Sequence, residues 1–156
     1  YRDGECLDAT NDDWYCYYLQ GALDKDIIPE EMIENCNVTK VTKTLAEATD
    51  DKKAVTTDVN VYTGKFDGDK PITREEMAAI AVRCKNYKMR RLTDWDNERR
   101  YPIFSFKDSD EIDEKYISDV VKAYNLNYID GMEDGRFAPK ENLTRAQAAV
   151  VMNNLK

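Results

Sequence analysis

The chain has 156 residues and a formal net charge of −8, from 31 acidic and 23 basic side chains; it contains four cysteines and no histidine. That length, with 42% hydrophobic residues, supports one domain with a substantial core. The acidity argues against docking on a phosphate backbone, no apolar run approaches the ~20 residues of a membrane-spanning helix, and the cysteines do not have zinc-site spacing. Tyr1 is not an initiator methionine, so the start of the sequence says nothing about a leader peptide.

Taken in order, the first predicted element is a helix capped by Asp12 or Asp13, with Trp14 at its head and Tyr15, Tyr18, Leu19 and Ala22 as its apolar stripe. From about 29 to 62 the pattern changes. The run PEEMIENC predicts a short helix with Pro29 near its first position. Val55, Thr57, Val59 and Val61 alternate as in a half-exposed strand, and VTKVTKTL offers it a partner across the polar ATDDKK stretch. The overlapping run TKTLAEATDDKKA also reads as helix. Cys6, Cys16, Cys36 and Cys84 permit two disulfides in three connectivities. Only Cys36 lies in the 29–62 segment. Cys16 lies off the apolar stripe and Cys6 precedes the helix, so a bridge from Cys36 to one of these two is expected. Cys84 reads equally as a buried free thiol.

The next helix is predicted to begin after Thr73, an N-cap completed by Glu76 as a capping box, with Met77, Ile80, Ala81 and Cys84 as its stripe. KMRRLTDWDNERR, from Lys88 to Arg100, is the one basic patch. It reads as a solvated linker whose charges pair with Asp94, Asp96 and Glu98; the functional alternative is contact with an anionic glycan over Trp95. A third helix follows Asp113, with Ile117, Val120, Val121 and Tyr124 on one face. The loop YIDGMEDGRFAPKENL has Gly131 and Gly135 for tight turns and Pro139 before the next cap. The last helix starts after Thr144, capped with Gln147, and carries Ala148, Val151, Met152 and Leu155.

These elements repeat. Gly64, Phe66, Thr73 and Arg74 recur as Gly135, Phe137, Thr144 and Arg145, at a constant offset of 71. Trp14 and Ile27 recur as Tyr116 and Ile129 at an offset of 102, so the first copy carries about 31 additional residues between its helices. Both copies place an arginine at the first helical position, where the helix dipole disfavours a cation by about 0.3–1 kcal/mol. A guanidinium beside helix N-terminal N–H groups makes a cradle for a carboxylate or phosphate. The plainer alternative is an ion pair with a nearby acid such as Glu75 or Asp67.

The second copy resembles an S-layer homology (SLH) repeat. Phe106-Lys107-Asp108 matches the F-x-D start, Tyr116 the aromatic-led helix, Gly131 to Pro139 the loop G-x-x-D-G-x-F-x-P, and Thr144-Arg145-Ala146-Gln147 the closing T-R-A-E, with Gln for Glu. The first copy is more divergent: Cys6-Leu7-Asp8 stands at the start, Trp14 leads the helix, and Gly64-Lys65-Phe66 and Thr73-Arg74-Glu75-Glu76 close it. The resemblance implies a mainly α fold, two helix–loop–helix repeats packed as one helical domain, with a small, partly β insertion in the first. Residues 6–85 form the first repeat (insertion about 29–62), 86–103 a connecting segment, and 104–156 the second repeat.

The same resemblance implies non-catalytic attachment of an exported protein to a bacterial cell wall, through secondary cell-wall polysaccharide that often bears a pyruvate ketal. It implies no cofactor, no metal and no membrane span. Such repeats usually come in threes with grooves between them, so a further repeat or second chain is an expected partner. The expected glycan-binding residues are Arg145, Arg74, Asp108, Asp8, Trp14 and Tyr116, the arginines facing the grooves. Three alternatives remain open. An SLH-like scaffold that binds protein is one. A calcium loop begun at Asp130 offers Asp134, Gly135 and Glu141 but has Met132 at position 3, and one begun at Thr63 has Lys65 there. A glycosidase needs paired carboxylates, and nothing in the sequence singles out a pair.

Overall fold

The computed structural model describes residues 7, 13–46, 54–88 and 106–155. Helix α1 spans Cys16–Leu23, strands β1 and β2 span Glu34–Ala46 and Val55–Lys65, and helices α2, α3 and α4 span Arg74–Lys88, Ile117–Asn125 and Arg145–Asn154. Short 3₁₀ turns occupy Glu30–Met32, Ser109–Glu111 and Glu114–Tyr116. The chain divides into two compact units, 1–24 with 30–68 and 25–29 with 69–156. Helix α2, part of the first repeat by sequence, thus shares a unit with α3 and α4.

The mainly α expectation is overturned. Among the described residues, a long antiparallel hairpin with strands of 13 and 11 residues stands beside four helices. Val41 pairs with Val59 and Thr39 with Val61, and Thr42 Oγ1 donates to Asp58 across the ladder at 2.7 Å. The density of β-branched residues explains the outcome. Val and Thr lose rotamer freedom in a helix and fit a pleated surface, so VTKVTKTL forms a strand, and the helix alternative for TKTLAEATDDKKA gives way to β1 as far as Ala46. The helix expected over PEEMIENC reduces to the Glu30–Met32 turn, because β1 already begins at Glu34. At the base of the hairpin Gly64 has φ +136°, and a Cβ there would lie 2.7 Å from the Glu34 carbonyl oxygen. Only glycine fits that approach.

Helix α1 buries Cys16, Leu19 and Leu23. The expected stripe through Tyr18 is displaced: Tyr18 is 69% exposed. The buried face follows the i, i+3, i+7 line from Cys16, and Tyr17 and Tyr18 stay exposed. Asp13 contributes its carbonyl to Cys16 N–H at 3.1 Å, and the helix has no side-chain cap. This register also bears on the expected disulfide. Cys16 lies on the core face, Cys36 lies half-buried on β1, and Cys16 and Cys36 are both free thiols. Cys6 lies outside the described residues. Burial, then the carboxylates of Glu30 and Glu31, raise the Cys36 thiol above its ordinary pKa.

In the second unit one hydrophobic cluster joins Met77, Ala81 and Val82 of α2 to Tyr116, Val120 and Ala123 around α3, with Ile129, Phe137 and Val151. Helix α2 is buried nearly all round: Ala78, Ala79 and Ala81 have no exposed surface. Both T-R helices start where the sequence places them, each on a capping box. Thr73 Oγ1 accepts from Glu76 N at 3.4 Å while Glu76 Oε2 accepts from Thr73 N at 2.9 Å. Thr144 and Gln147 exchange the equivalent bonds at 3.2 and 2.9 Å.

Candidate functional site

The loop between α3 and α4, from Asp130 to Glu141, has its shape imposed from two sides. Asp108 is 5% exposed. Its two carboxylate oxygens accept the N–H groups of Phe137 and Ala138, each at 2.8 Å. The second of these residues is left-handed, with φ 57°, a conformation costly for alanine. Two charge-assisted bonds from one buried carboxylate hold it there. The turn itself closes through Met132 N–H to the Arg136 carbonyl at 2.7 Å and Gly135 N–H to the Met132 carbonyl at 3.0 Å.

Arg74 approaches from the other side and is 3% exposed. Its Nε donates to the Phe137 carbonyl at 2.7 Å and its Nη2 to the Asp130 carbonyl at 2.6 Å. The guanidinium also lies over the Phe137 ring, 5.1 Å from its centroid. The first N–H groups of α2 are occupied in the same way. Arg74 N–H donates to the Glu141 carbonyl at 3.0 Å and Glu75 N–H to that of Pro139 at 3.2 Å. The cradle that the sequence suggests for an anion is, at Arg74, filled by loop carbonyls. Burial lowers the Arg74 pKa, opposed by Glu141, Asp108 and Asp130, and the side chain remains a cation.

Glu75 locks the far end of the loop. Its side chain is 4% exposed, and its Oε1 accepts from Lys140 Nζ at 2.7 Å. Its Oε2 accepts from Asp113 N–H at 3.1 Å. Lys140 Nζ also meets Asp113 Oδ1 at 2.6 Å. The hydrogen bond from Lys140 is the main reason that the Asp113 carboxyl sits below the usual carboxylate range. Burial opposes a rise in the Lys140 pKa, but the bonds to Asp113 and Glu75 outweigh it.

Two acids of the loop, Asp134 and Glu141, face a cation of the chain itself. Arg136 Nε meets Asp134 Oδ2 at 2.8 Å and its Nη1 meets Glu141 Oε1 at 3.0 Å. The Arg136 bond lowers the Asp134 pKa, and Asp134 then Glu141 raise that of Arg136. Two of the oxygen donors on which the calcium reading depends are therefore turned to a guanidinium.

The expected site residues are thus separated by environment. Arg74 and Asp108 meet around the backbone of Phe137. Tyr116 is buried at the N-cap of α3, with Lys115 Nζ 4.9 Å from its ring centroid. Arg145 is exposed at the first position of α4. Trp14 belongs to the other unit, 83% exposed and edge-on to Tyr15 at 5.8 Å. Asp8 and Trp95 lie outside the described residues. The Glu75–Lys140–Asp113 node escaped the sequence reading, which took Glu75 only as a possible ion-pair partner of Arg74 and Asp113 only as a helix start. The one available signal was the repeat comparison, in which Glu75 falls opposite Ala146, a departure at an otherwise matched helix start.

This arrangement of F-x-D carboxylate, glycine turn, Phe137 and T-R helix coincides with a known family. The family model of the S-layer homology domain matches residues 105–149. Such a domain is a non-catalytic cell-wall anchoring module. Among curated relatives, an endoglucanase of Bacillus sp. (strain KSM-635) is 38% identical over 102 residues, covering 63% of this chain and 10% of that protein. An amylopullulanase of Thermoanaerobacterium thermosulfurigenes is 39% identical over 84 residues, 54% of this chain and 4% of that protein. An exoglucanase XynX of Acetivibrio thermocellus is 39% identical over 84 residues, 54% of this chain and 7% of that protein. The chain spans a tenth or less of the length of these relatives. No solved structure matches it significantly.

Proposed function

We propose that the chain is a non-catalytic module that holds an exported protein to the cell surface by binding an anionic secondary cell-wall polysaccharide, such as one bearing pyruvate ketals. The S-layer homology match over 105–149 carries this reading. At the level of residues, the support is the contrast between the two arginines. Arg74 is enclosed by its loop, whereas Arg145 stands exposed on a helix start whose N–H groups and dipole favour an anion. Arg145 is the proposed ligand for the sugar carboxylate, while Arg74 and Asp108 give the neighbouring loop its shape. Trp14 offers an exposed ring for stacking on a sugar face.

A charge-assisted hydrogen bond is worth about 1.5–3 kcal/mol, so Arg145→Ala is expected to weaken binding about tenfold or more. Arg145→Lys recovers little, because lysine lacks the two-pronged donor geometry. Calorimetry with purified wall polysaccharide checks this; wild-type affinity in the folded alanine variant removes Arg145 from the site. A second reading, a module that binds a protein of the cell surface, is favoured by Trp14, Tyr17 and Tyr18. Tyr17 and Tyr18 stand exposed edge to face on α1, 5.8 Å between ring centroids, and Trp14 is exposed two residues before the helix.

A further inference from the structure

The second repeat is built without the roughly 31 additional residues of the first, so the β1–β2 hairpin serves something other than the repeat fold. Its two faces differ. Side chains alternate along a strand, and directly paired residues share a face. The rungs Val38/Tyr62, Lys40/Asn60, Thr42/Asp58 and Thr44/Thr56 therefore lie on one side, and Thr39/Val61, Val41/Val59 and Lys43/Thr57 on the other. The first face is mostly polar and is engaged: Thr42 Oγ1 donates to Asp58 at 2.7 Å, and the Tyr62 hydroxyl donates to the Leu23 carbonyl of α1 at 3.2 Å. The second face is an apolar strip. Val41 is 39% exposed; Leu45, the extra residue of the bulge between Thr44 and Ala46, and Val55 close the strip at 67% and 52% exposed. Val59 and Val61 are half-buried. A two-stranded hairpin with a bare apolar face is marginal by itself and gains from a cover.

We infer that this strip is a self-association surface, covered by the same strip of a second copy of the chain. The rungs make it self-complementary. With a two-fold axis between the two sheets and parallel to the strands, β1 of each copy lies over β2 of the other at the same rung. Val41 then meets Val59 of the second copy, Thr39 meets Val61, Leu45 approaches Val55, and Lys43, the one charged residue on these rungs, lies over the Thr57 hydroxyl. The backbones of the two Lys43 residues are about 11 Å apart, from sheets about 10 Å and strands about 4.8 Å apart, so salt screens their repulsion. Other occupants fit less well. The strip carries no aromatic ring to stack on a sugar, and Asp50, Asp51, Lys52 and Lys53 in the connection between the strands oppose entry into lipid. Register shifts at both ends of the ladder and the lysines of β1 blunt its edges, which leaves the face. That face measures about 20 Å by 10 Å, short of the roughly 1,200 Å² of total burial in a durable interface. The dimer is accordingly weak, half-formed at about 0.1 mM. Copies tethered to one surface reach such effective concentrations.

Sedimentation equilibrium of the full chain, from about 5 μM to 1 mM, tests this. The mass should rise from monomer toward dimer. Raising salt from about 0.05 to 0.5 M should strengthen association about threefold, because screening relieves the repulsion between two copies of net charge −8. Val41→Lys or Val59→Asp alone should abolish the dimer. An equimolar mixture of the two variants should associate again, since position 41 of one copy meets position 59 of the other. Leu45→Lys, at the most exposed position of the strip, should weaken the dimer and leave the urea midpoint of the monomer unchanged, so it reports on the strip even where a valine variant fails to fold. A chain that stays monomeric throughout that range overturns the proposal. So does a dimer that survives all three substitutions, which would give the contact to a strand edge or another surface.

Discussion

Asp108→Ala is expected to destabilise the chain by about 3–5 kcal/mol. The carboxylate accepts two backbone N–H groups inside the protein, and a hydrogen bond to a charged group is worth roughly 1.5–3 kcal/mol. Alanine leaves both donors buried and unsatisfied and removes what holds Ala138 left-handed. Against a typical total of about 5–15 kcal/mol, a loss of that size takes much of the fold's margin. Asp108→Asn should be nearly as damaging, because its NH₂ turns a donor toward a donor. Urea unfolding followed by circular dichroism measures both; a cost below about 1 kcal/mol for alanine, near what an unremarkable substitution costs, would show that the loop holds its shape without Asp108.

Arg74→Ala is the second large effect, also expected at about 3–5 kcal/mol. It removes two charge-assisted bonds to the carbonyls of Phe137 and Asp130 and the stacking on the Phe137 ring. Lysine in its place should recover less than half, since one ammonium cannot reproduce the Nε/Nη2 pair. The decisive comparison is with Arg145→Ala. That side chain occupies the same motif position but is exposed, so its loss should change stability by no more than about 0.5 kcal/mol. Hydrogen exchange over 130–141 should quicken in the Arg74 variant and stay at the wild-type rate in the Arg145 variant. Equal stability losses for the two arginines would contradict the division of roles drawn from their burial.

What the sequence made legible was set by local rules. The starts of α2 and α4 follow from capping boxes closed within four residues, Thr73 with Glu76 and Thr144 with Gln147, so periodicity and caps place them. The loop before α4 was legible for the same reason, through Gly135 and Pro139. The hairpin was harder. Its strands mix Val and Thr with Lys and Asp on a surface exposed over most of its length, so no buried face enforces a clean alternation, and the run through Thr42 carries helix and strand signals together. The face of α1 was misplaced because Tyr18 and Cys16 are both apolar enough to be core, and tertiary packing chose Cys16.

The burial of Arg74 was illegible for a different reason. The carbonyls that hold it lie 56 and 63 residues away, and backbone oxygens leave no mark in a sequence pattern. The Glu75–Lys140–Asp113 node is likewise long-range. The repeat register hid the same distinction, since it makes Arg74 and Arg145 equal in sequence while their environments are not.

The central claim is that this chain attaches to cell-wall polysaccharide, and cosedimentation with purified bacterial cell walls tests it most directly. The walls are used intact and again after chemical removal of the secondary polysaccharide, with peptidoglycan left in place. The account predicts that the chain pellets with intact walls and stays in the supernatant with stripped ones. Equal pelleting with both would move the ligand to peptidoglycan, and no pelleting with either would contradict attachment to wall glycan altogether.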